Sequence, residues 1–515
     1  MTWTRRDFMA TGALAAGAIA FSGCAASKKE TAVSSTEKPA QISSKPSYFE
    51  TKFGVTSDMT NRVLARALAH GGQWGELYFE HSRSVSLVLK DGIVSQAYTG
   101  ISLGMGVRTV VDDQVGYAFT ESLMLPDMLA AADAASAIAQ GADAGVVKPQ
   151  QWLELKKSWY DQQTNWDAVD IAEAAALLRN IEAKARAKSS EITKVQVSIN
   201  WTQRNIYVTT SDGTNAEDAQ PYANIRVSLV MDRGGQLQSN SDSIAIMGNF
   251  AMYNDERIEK LLDELVRDTA ILFEAVKPKG GDWPVVLSAG ASGILLHEAI
   301  GHGLEADFNR KEVSIYADKL NKKVAEANVT VVDSGENEGS RGALNVDDEG
   351  TPSQKTVLID KGILRSYMHD KISAKHYGVA PTGSGRRQSY KYNPIPRMRT
   401  TYMENGDASF EDLIKDVKYG ICCTRYTNGQ VLIGAGDYTF YVKNGFLIED
   451  GKLTAPIKDV NIIGNGPDTL SKITRVGNDF AYSHSGWTCG KDGQSMPVSL
   501  GMPSVLVSSI SVGGN

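Results

Sequence analysis

The sequence predicts an α+β protein of several domains, with two layered units of helix and sheet followed by a large β-rich domain. The chain has 515 residues, roughly two to three times the size of a typical domain. Its 42% hydrophobic and 22% charged residues are typical of globular proteins, and its 48 glycines favour a sheet-rich molecule with many tight turns. After about residue 280 the apolar segments become mostly extended, which predicts the β-rich domain.

The first 24 residues are predicted to be an export signal. The paired Arg5 and Arg6 precede a weakly apolar run at residues 10–21 and the small residues Ser22 and Gly23. This order is typical of twin-arginine signals, and the apolar run is shorter than the roughly 20 residues that cross a bilayer as a helix. The alternative interpretation is an ordinary amphipathic N-terminus.

Cys24 is predicted to be lipidated, because Ser22-Gly23-Cys24 resembles a bacterial lipobox, although Phe21 replaces the usual aliphatic residue. Residues 25–50 are rich in Ser, Lys, Thr and Pro, which predicts a flexible tether. We therefore expect export by the twin-arginine route to the periplasm or cell envelope. Membrane contact is expected only through the signal or a lipid at Cys24.

Residues 51–160 are predicted to form an N-terminal α+β domain, and residues 161–280 a middle α+β domain. Ser57 is predicted to cap the first helix. The first domain has predicted helices at 57–70 and 126–140 and strands at 77–79, 85–89, 93–98 and 105–111. The middle domain has predicted helices at 168–188 and 255–276 and strands at 195–200, 206–210 and 225–230.

Residues 281–515 are predicted to form the C-terminal β-rich domain. A strand at 284–287 leads into a helix that carries His297, and turn signals separate the apolar runs that follow. These signals predict hairpins in a curled or barrel-like sheet. They are Lys443-Asn444-Gly445, Glu449-Asp450-Gly451 and Gly464-Asn465-Gly466.

Charge and cysteine content exclude two classes of protein. A net charge of −7 provides no basic field for phosphate backbones, so we expect no nucleic acid partner. Four cysteines are too few for a disulfide scaffold, and the adjacent Cys422 and Cys423 receive no role.

The chemical centre is predicted at the hexapeptide His297-Glu298-Ala299-Ile300-Gly301-His302, which holds two of the seven histidines. Imidazole binds divalent metals, and a carboxylate beside such a ligand can accept a proton from metal-bound water. A spacing of five places the two rings about 140° apart on a regular helix, so one undistorted helix cannot chelate with both. Gly301 and Gly303 would allow the helix to widen or break there. The alternative is a pair of unrelated histidines.

A third ligand must come from elsewhere, because catalytic zinc usually has three protein ligands. Cys489 is the preferred candidate, since a thiolate suits zinc and the nearby Lys491 would favour the ionised form. The alternative is an inert core cysteine, and Glu305 and Asp307 remain possible oxygen ligands.

The chain resembles the TldD/PmbA metallopeptidase family over nearly everything after the tether. The resemblance covers the histidine hexapeptide and several separated motifs in the same order. These motifs are Gly342-Ala343-Leu344-Asn345-Val346-Asp347-Asp348-Glu349-Gly350-Thr351-Pro352, Val379-Ala380-Pro381-Thr382-Gly383-Ser384-Gly385-Arg386-Arg387, Ile463-Gly464-Asn465-Gly466-Pro467 and Cys489-Gly490-Lys491-Asp492-Gly493-Gln494.

This resemblance implies a metallopeptidase that acts on unfolded or extended peptides, with zinc as the expected metal. It implies that His297, His302 and Cys489 are the ligands and that Glu298 is the base. The PmbA/TldE branch lacks the hexapeptide and serves as a non-catalytic partner. Since this chain has the hexapeptide, it is expected to belong to the catalytic branch of the family. A dimer is expected, either with itself or with a PmbA/TldE-like subunit. The export signal is a departure from cytoplasmic relatives.

The predicted function is therefore peptide-bond hydrolysis, with Glu298 accepting a proton from water and delivering it to the leaving amine. Arg386 or Arg387 could supply a second donor to the developing oxyanion, or could only pair with carboxylates. The alternatives are a metal-dependent hydrolase or amidase of a small molecule, and a lipid-anchored, non-catalytic binding subunit.

Overall fold

The computed structural model describes residues 46–139 and 144–513. The predicted export signal, Cys24 and most of the predicted tether lie outside these residues. The first helix, Tyr48–Phe53, begins inside the range 25–50 that was predicted to be a tether. Its Phe49 is fully buried, with the ring centroid 5.6 Å from that of Phe79, so the chain already packs against the N-terminal part here. Within the described ranges, no helix is both long enough and apolar enough to span a bilayer.

The elements before residue 280 include five helices and seven strands among the described residues. The helices are α1 (Tyr48–Phe53), α2 (Ser57–Leu68), α3 (Leu125–Ser136), α4 (Ile171–Ala187) and α5 (Asp255–Ala270). The strands are β1 (Trp74–Lys90), β2 (Ile93–Val111), β3 (Gln114–Thr120), β4 (Gln151–Trp152), β5 (Ile192–Thr210), β6 (Thr214–Arg233) and β7 (Gln236–Met247). Short 3₁₀ turns lie at Trp166–Ala168, Phe250–Met252 and Ile271–Phe273.

One continuous sheet, here called the N-terminal sheet, joins the predicted N-terminal and middle domains. Its order is β3-β2-β1-β5-β6-β7, and the short β4 runs parallel to β6 at the outer edge. β1 and β5 connect the two halves and pair from Glu76↔Thr210 to Lys90↔Gln196. The long strands β1, β2, β5 and β6 contain all the shorter strands that were predicted before residue 280. β1 is buried on both faces over residues 75–82, so its apolar and polar residues do not alternate there.

Helices α2 to α5 correspond to the four predicted helices, and each ends earlier than predicted. The predicted cap at Ser57 is wrong by one residue, because the side chain of Thr56 accepts a hydrogen bond from the backbone N–H of Met59. α2 and α3 pack over one apolar cluster that includes Leu64 and Met128. α4 and α5 pack over a second cluster that includes Leu178 and Leu262.

The C-terminal part begins at β8 and contains five helices and sixteen strands of the described residues. The helices are α6 (Ile294–Leu296), α7 (Ala306–Arg310), α8 (Lys371–Tyr377), α9 (Phe410–Ile414) and α10 (Gly466–Ser471). The first strands are β8 (Gly281–Leu287), β9 (Val331–Ser334), β10 (Lys355–Asp360), β11 (Ile363–Leu364), β12 (Gly385–Arg386), β13 (Ile395–Pro396), β14 (Thr400–Met403) and β15 (Tyr419–Leu432). The remaining strands are β16 (Asp437–Glu449), β17 (Lys452–Ile457), β18 (Val460–Asn465), β19 (Ile473–Val476), β20 (Ala481–Tyr482), β21 (Trp487–Lys491), β22 (Gln494–Met502) and β23 (Val505–Gly513).

Five of these strands close into a barrel in the order β15-β8-β23-β18-β16, with β16 pairing back to β15. Only β8 and β15 run parallel, and the other neighbouring strands are antiparallel. Closure removes the free edges that an open sheet would expose. The structure therefore confirms the predicted α+β class and the barrel-like sheet.

A second, C-terminal sheet has the order β11-β10-β9-β14-β22-β20, and β21 also pairs with β22. A tight turn joins β21 to β22, because Asp492 and Gly493 both have positive φ, at 49° and 70°. The helical segment that begins with α6 contacts β15 and β16 of the barrel as well as β14 and β22 of the C-terminal sheet. This segment therefore lies at the junction of the two sheets.

Candidate metal centre

The two histidines of the hexapeptide lie on a widened turn of helix. α6 passes into His297–Gly301, where the backbone N–H of His302 donates to the carbonyl of His297, five residues earlier. A short 3₁₀ turn, His302–Leu304, follows. This wider turn brings the two rings to the same side, with centroids 5.0 Å apart and planes at 82°. The structure confirms the predicted widening of the helix.

The glycines of this segment leave room for close packing. A Cβ on Gly301 would lie 2.0 Å from Sδ of Met398, and a Cβ on Gly303 would lie 2.6 Å from the ring of Tyr316. Both distances are far shorter than van der Waals contact. Any side chain at either position would therefore push the histidine turn away from its neighbours.

Strand β21 brings Cys489 to the same place. Its Sγ lies 3.4 Å from Nε2 of His302, and one ligand atom from each of Cys489, His297 and His302 lies within 4.8 Å of the other two. All three side chains are buried. The structure thus brings together all three residues that the sequence suggested as metal ligands.

A buried carboxylate orients His302. Oε2 of Glu305 lies 3.0 Å from Nδ1 of His302, so Nδ1–H donates to Glu305 and the lone pair of Nε2 faces Cys489. Burial raises the pKa of Glu305, but the charges of Lys491 and His302 outweigh burial and lower it to about 2. Glu305 is therefore an anion that fixes the imidazole, rather than a fourth ligand of the group.

The structure gives Lys491 other partners and gives the two imidazoles the main influence on the Cys489 thiol. Nζ of Lys491 lies 2.7 Å from Oδ1 of Asp307 and 3.2 Å from Oε2 of Glu305, so these carboxylates hold its charge. Burial raises the pKa of the Cys489 thiol, but His297 and His302 outweigh it and lower this pKa well below its usual range. Asp307, which sequence reasoning also kept as a possible ligand, instead accepts the hydrogen bond of Lys491.

Sequence reasoning missed Arg397, which supports the site from a distant part of the chain. Its Nη2 donates to the backbone carbonyl of Cys489 at 2.7 Å, and its Nε lies 3.8 Å from Oε1 of Glu305. The side chain is fully buried. No local motif marked Arg397, because its partners lie about 90 residues away on either side in the sequence.

The carboxylate of Glu298 is half-buried and makes no hydrogen bond to another described residue. Burial raises its pKa, while the charges of His297 and His302 act in the opposite direction. A carboxylate with a raised pKa exchanges protons more readily near neutral pH than an ordinary glutamate does. Glu298 is therefore free to act as an acid or base beside the two imidazoles.

Arg386, Arg387 and the adjacent Cys422 and Cys423 contact other parts of the protein rather than the metal centre. Arg387 forms a buried ion pair with Glu76, which supports the alternative role of pairing with a carboxylate. Arg386 donates to the backbone carbonyls of Met398 at 2.6 Å and Pro497 at 2.9 Å. The adjacent Cys422 and Cys423 are buried free thiols, and they pack into two different apolar clusters of the C-terminal part.

The donor set fits a zinc ion. Zinc prefers imidazole nitrogen and thiolate sulfur, with bonds of about 2.0 and 2.3 Å, so two such ligands at a tetrahedral angle lie about 3.5 Å apart. The distance of 3.4 Å between Sγ of Cys489 and Nε2 of His302 agrees with this spacing. Nδ1 of His297 is buried and makes no hydrogen bond to a described residue, so no protein group fixes this imidazole in one tautomer. Three such ligands leave a fourth position for water or substrate.

Three family models match the chain in order. Residues 75–139 match the PmbA/TldA metallopeptidase domain 1, and residues 164–273 match the central domain. Residues 280–514 match the PmbA/TldA metallopeptidase C-terminal domain. The last of these contains the hexapeptide and Cys489.

Similar proteins carry metalloprotease names. A metalloprotease TldD homolog of Haemophilus influenzae is 37% identical over 449 residues, covering 86% of this chain and 93% of that protein. A metalloprotease TldD homolog of Buchnera aphidicola is 33% identical over 452 residues, with 86% and 93% covered. A zinc metalloprotease TldD homolog of Saccharolobus solfataricus is 33% identical over 288 residues, covering 56% of this chain and 64% of that protein.

Solved structures share the fold. TldE from Thermococcus kodakarensis superposes with a TM-score of 0.70 at 19% identity, covering 88% of this chain and all (100%) of that one. A structure from Thermotoga maritima gives a TM-score of 0.71 at 20% identity, with 88% and 99% covered. With three family models in order and relatives above 30% identity over most of its length, the chain belongs to the PmbA/TldD metallopeptidase family as a metalloprotease of the TldD type.

Proposed function

We propose that the protein is a zinc-dependent peptidase that hydrolyses peptide bonds of unfolded or extended peptides. The observation that carries this proposal is the cluster of His297, His302 and Cys489 beside the unpaired carboxylate of Glu298. Three nitrogen and sulfur ligands with a neighbouring general base are the arrangement that metal-assisted hydrolysis needs.

Glu298 performs the proton transfers in this proposal. A divalent ion held by the three ligands supplies Lewis acidity, which makes a water molecule acidic enough to lose its proton near neutral pH. Glu298 accepts that proton while the water attacks the peptide carbonyl, and then delivers it to the leaving amine.

An extended peptide is the substrate that suits the surroundings of Cys489. Among the described residues, β21 pairs only with β22, and in this proposal an extended peptide adds to its other edge. Binding through backbone hydrogen bonds at such an edge needs an extended chain and depends little on side chains. A folded protein does not offer its backbone in this form, which is the reason to propose unfolded peptides.

The cell location and the assembly also belong to this proposal. Residues 1–24 combine paired arginines, an apolar run and a lipobox-like Cys24, which support export to the cell envelope and anchoring by a lipid. The proposed assembly is a dimer, either of two copies of this chain or with a PmbA/TldE-like subunit.

The test compares purified zinc-loaded protein with its Glu298→Gln variant on an unstructured peptide, with and without a chelator. Glu298→Gln should retain zinc and lose cleavage by at least about 10²-fold, the usual contribution of a general base. Glu256→Gln is the matched control. Glu256 is exposed on α5, so this variant should cleave the peptide at the wild-type rate. Full cleavage by Glu298→Gln would refute the proposed base. No cleavage by the wild type, alone or with a partner subunit, would favour a binding role.

A further inference from the structure

A cavity of about 560 Å³ lies between the start of α5 and the segment that precedes β21, the strand that carries Cys489. Its wall includes the start of α5, with Arg257 and Lys260, and the loop that ends at Arg341. The segment at 482–484, which leads towards β21, forms another part of the wall. The size is in the range of cavities that hold small ligands or a few residues of peptide.

Arg341 is the unusual group in this cavity. Its Nε is shielded from solvent and has no hydrogen-bond partner among the described residues. Nη2 makes only a long contact, 3.4 Å, with Oγ1 of Thr488. No carboxylate of residues 46–139 or 144–513 lies within 4.0 Å of its guanidinium, in contrast to Arg108, Arg387 and Arg399, which all pair with acids. Burial lowers the pKa of Arg341, as expected for a shielded cation without a counter-ion.

Other donors point to the same kind of ligand. Arg257 and Lys260 are exposed at the cavity wall, and within the described chain neither forms an ion pair. The buried Nδ2 of Asn337 also lacks a hydrogen-bond partner there. Two acids line the cavity; Glu338 pairs with Lys157 at 3.4 Å, and Glu336 forms no ion pair within the described chain, so one unpaired acid stands against Arg257, Lys260 and Arg341. The cavity therefore has more unpaired cations and donors than acceptors, which favours an anion.

The cavity is linked to the metal centre through one strand. Thr488, which contacts Arg341, directly precedes Cys489 on β21, and consecutive side chains of a strand point to opposite faces. Gly486 makes room for the guanidinium, because a Cβ there would lie 3.1 Å from Nη1 of Arg341 and 2.6 Å from Oδ1 of Asn224. A peptide lying along the free edge of β21 would thus have the metal ligands on one side and Arg341 on the other.

We propose that this cavity binds a carboxylate group of the peptide substrate and that Arg341 is its main donor. This inference rests on the proposed peptidase function, and it adds a specificity-determining residue to it. A guanidinium offers two parallel N–H donors that match the two oxygens of a carboxylate. The carboxylate has two possible sources in a peptide, its C-terminus and an Asp or Glu side chain.

The experiment measures kcat/KM for three versions of one unstructured peptide without acidic side chains. The first has a free C-terminal carboxylate, the second has a C-terminal amide, and the third has the amide and one added glutamate. The wild type should prefer the free acid over the plain amide by at least about 10-fold, the loss expected for one charge-assisted hydrogen bond. If only the peptide with the added glutamate is cleaved faster than the plain amide, a side chain is the source. Equal rates for all three would overturn the proposal.

Arg341→Gln should remove the preference, and Arg341→Lys should restore part of it. Arg233→Gln is the matched control, because Arg233 pairs with Glu191 at the surface and should leave the preference unchanged. Zinc content and the thermal unfolding midpoint check that each variant folds. If Arg341→Gln does not fold, the exposed Lys260→Gln should still weaken the preference, by about 3-fold as for a surface charge.

A binding measurement separates failure of this inference from failure of the peptidase function. Fluorescence anisotropy of the labelled peptides with Glu298→Gln protein requires no cleavage. The free acid should bind at least about 10-fold more tightly than the amide, and Arg341→Gln in the same background should abolish the difference. If nothing is cleaved but this difference is found, the cavity inference stands and the peptidase function fails. Equal binding of all three peptides would refute the cavity inference, whatever the activity.

Discussion

At the scale of single residues, the candidate centre depends on side chains that are not ligands. Glu305 holds Nδ1 of His302, Lys491 neutralises Glu305, and Arg397 binds the backbone carbonyl of Cys489. Each of these groups is buried, so each interaction acts in a medium of low dielectric constant. The orientation of His302 towards Cys489 follows from this set of contacts.

Replacing Glu305 by Gln tests that orientation. The amide can still bond to Nδ1 of His302, but it no longer fixes the tautomer with a charge, and it leaves Lys491 with one carboxylate fewer. We expect zinc affinity to fall by about 10- to 100-fold, as for other partners of metal-bound histidines. Competition with a chromophoric chelator measures this affinity. Glu404→Gln, in an exposed pair with Lys355, is the control, and an unchanged affinity in Glu305→Gln would contradict the role.

At the scale of elements, the widened turn at His297–Gly301 is held by packing from several parts of the chain. The hydroxyl of Tyr316 donates to the carbonyl of Ala299 at 3.2 Å, and the start of α10 lies against the same carbonyl. A Cβ on Gly466 would lie 2.2 Å from that carbonyl oxygen. Gly466 belongs to the Ile463-Gly464-Asn465-Gly466-Pro467 motif, so the structure gives this motif a physical reason.

Gly466→Ala should therefore disturb the metal centre without touching a ligand. The new methyl group meets backbone rather than a flexible side chain, so the turn must move. We expect a loss of about 1 to 3 kcal/mol in the free energy of unfolding, typical of overpacking, together with weaker zinc binding. Denaturant unfolding and chelator competition measure the two effects. Gly490→Ala is the control, because nothing lies within 4 Å of its added Cβ although it is next to Cys489. Similar behaviour of both variants would count against this explanation.

At the scale of the whole molecule, buried charges join the N-terminal sheet to the C-terminal part. Arg108 on β2 lies 2.6 Å from Glu76 on β1 and 2.6 Å from Glu349, and Arg387 pairs with Glu76 as well. All four side chains are completely buried. Because β1 also pairs with β5, this cluster connects both halves of the N-terminal sheet to the segments around Glu349 and Arg387.

Glu76→Gln should destabilise the whole molecule, since it leaves two buried guanidinium groups with fewer acceptors. We expect a loss of about 3 to 5 kcal/mol in the free energy of unfolding, the usual result of breaking a buried ion pair. Glu191→Gln is the control, because its pair with Arg233 is exposed and should contribute less than about 1 kcal/mol. Denaturant unfolding at neutral pH measures both. Equal effects of the two substitutions would show that the cluster does not join the two parts.

The pH dependence of the difference in the free energy of unfolding between wild type and Glu76→Gln has a definite sign. Burial raises the pKa of Glu76, but the charges of Arg108 and Arg387 outweigh it and lower this pKa below its ordinary value of 4.5. A lowered pKa means that Glu76 adds stability above pH 4.5 and loses that contribution as the pH falls below it. The difference between wild type and Glu76→Gln should therefore shrink in acid. A difference that grows as the pH falls would contradict the assigned charge.

Some features of this protein follow from local sequence alone. The hexapeptide marks the metal centre because two histidines and a glutamate stand within six residues, and Gly301 signals that the helix can widen. Of the three turn signals after residue 440, Glu449-Asp450-Gly451 marks the hairpin between β16 and β17, where Asp450 and Gly451 have positive φ. The other two predicted turns are wrong, because Lys443-Asn444-Gly445 lies within β16 and Gly464-Asn465-Gly466 spans the end of β18 and the start of α10. The helices α2 to α5 were predictable from their apolar periodicity, apart from their ends.

Only the tertiary structure decided the remainder. The continuity of the N-terminal sheet was hidden because Glu76 and Glu80, which carry charges, lie in a stretch of β1 that is buried on both faces. Cys489 meets His302, and Arg397 meets Cys489, through packing between segments that lie roughly 90 to 190 residues apart. No local pattern encodes such contacts. Local sequence thus determined which residues can bind a metal, whereas long-range packing decided which of them meet, because contact between distant segments is set by the whole core.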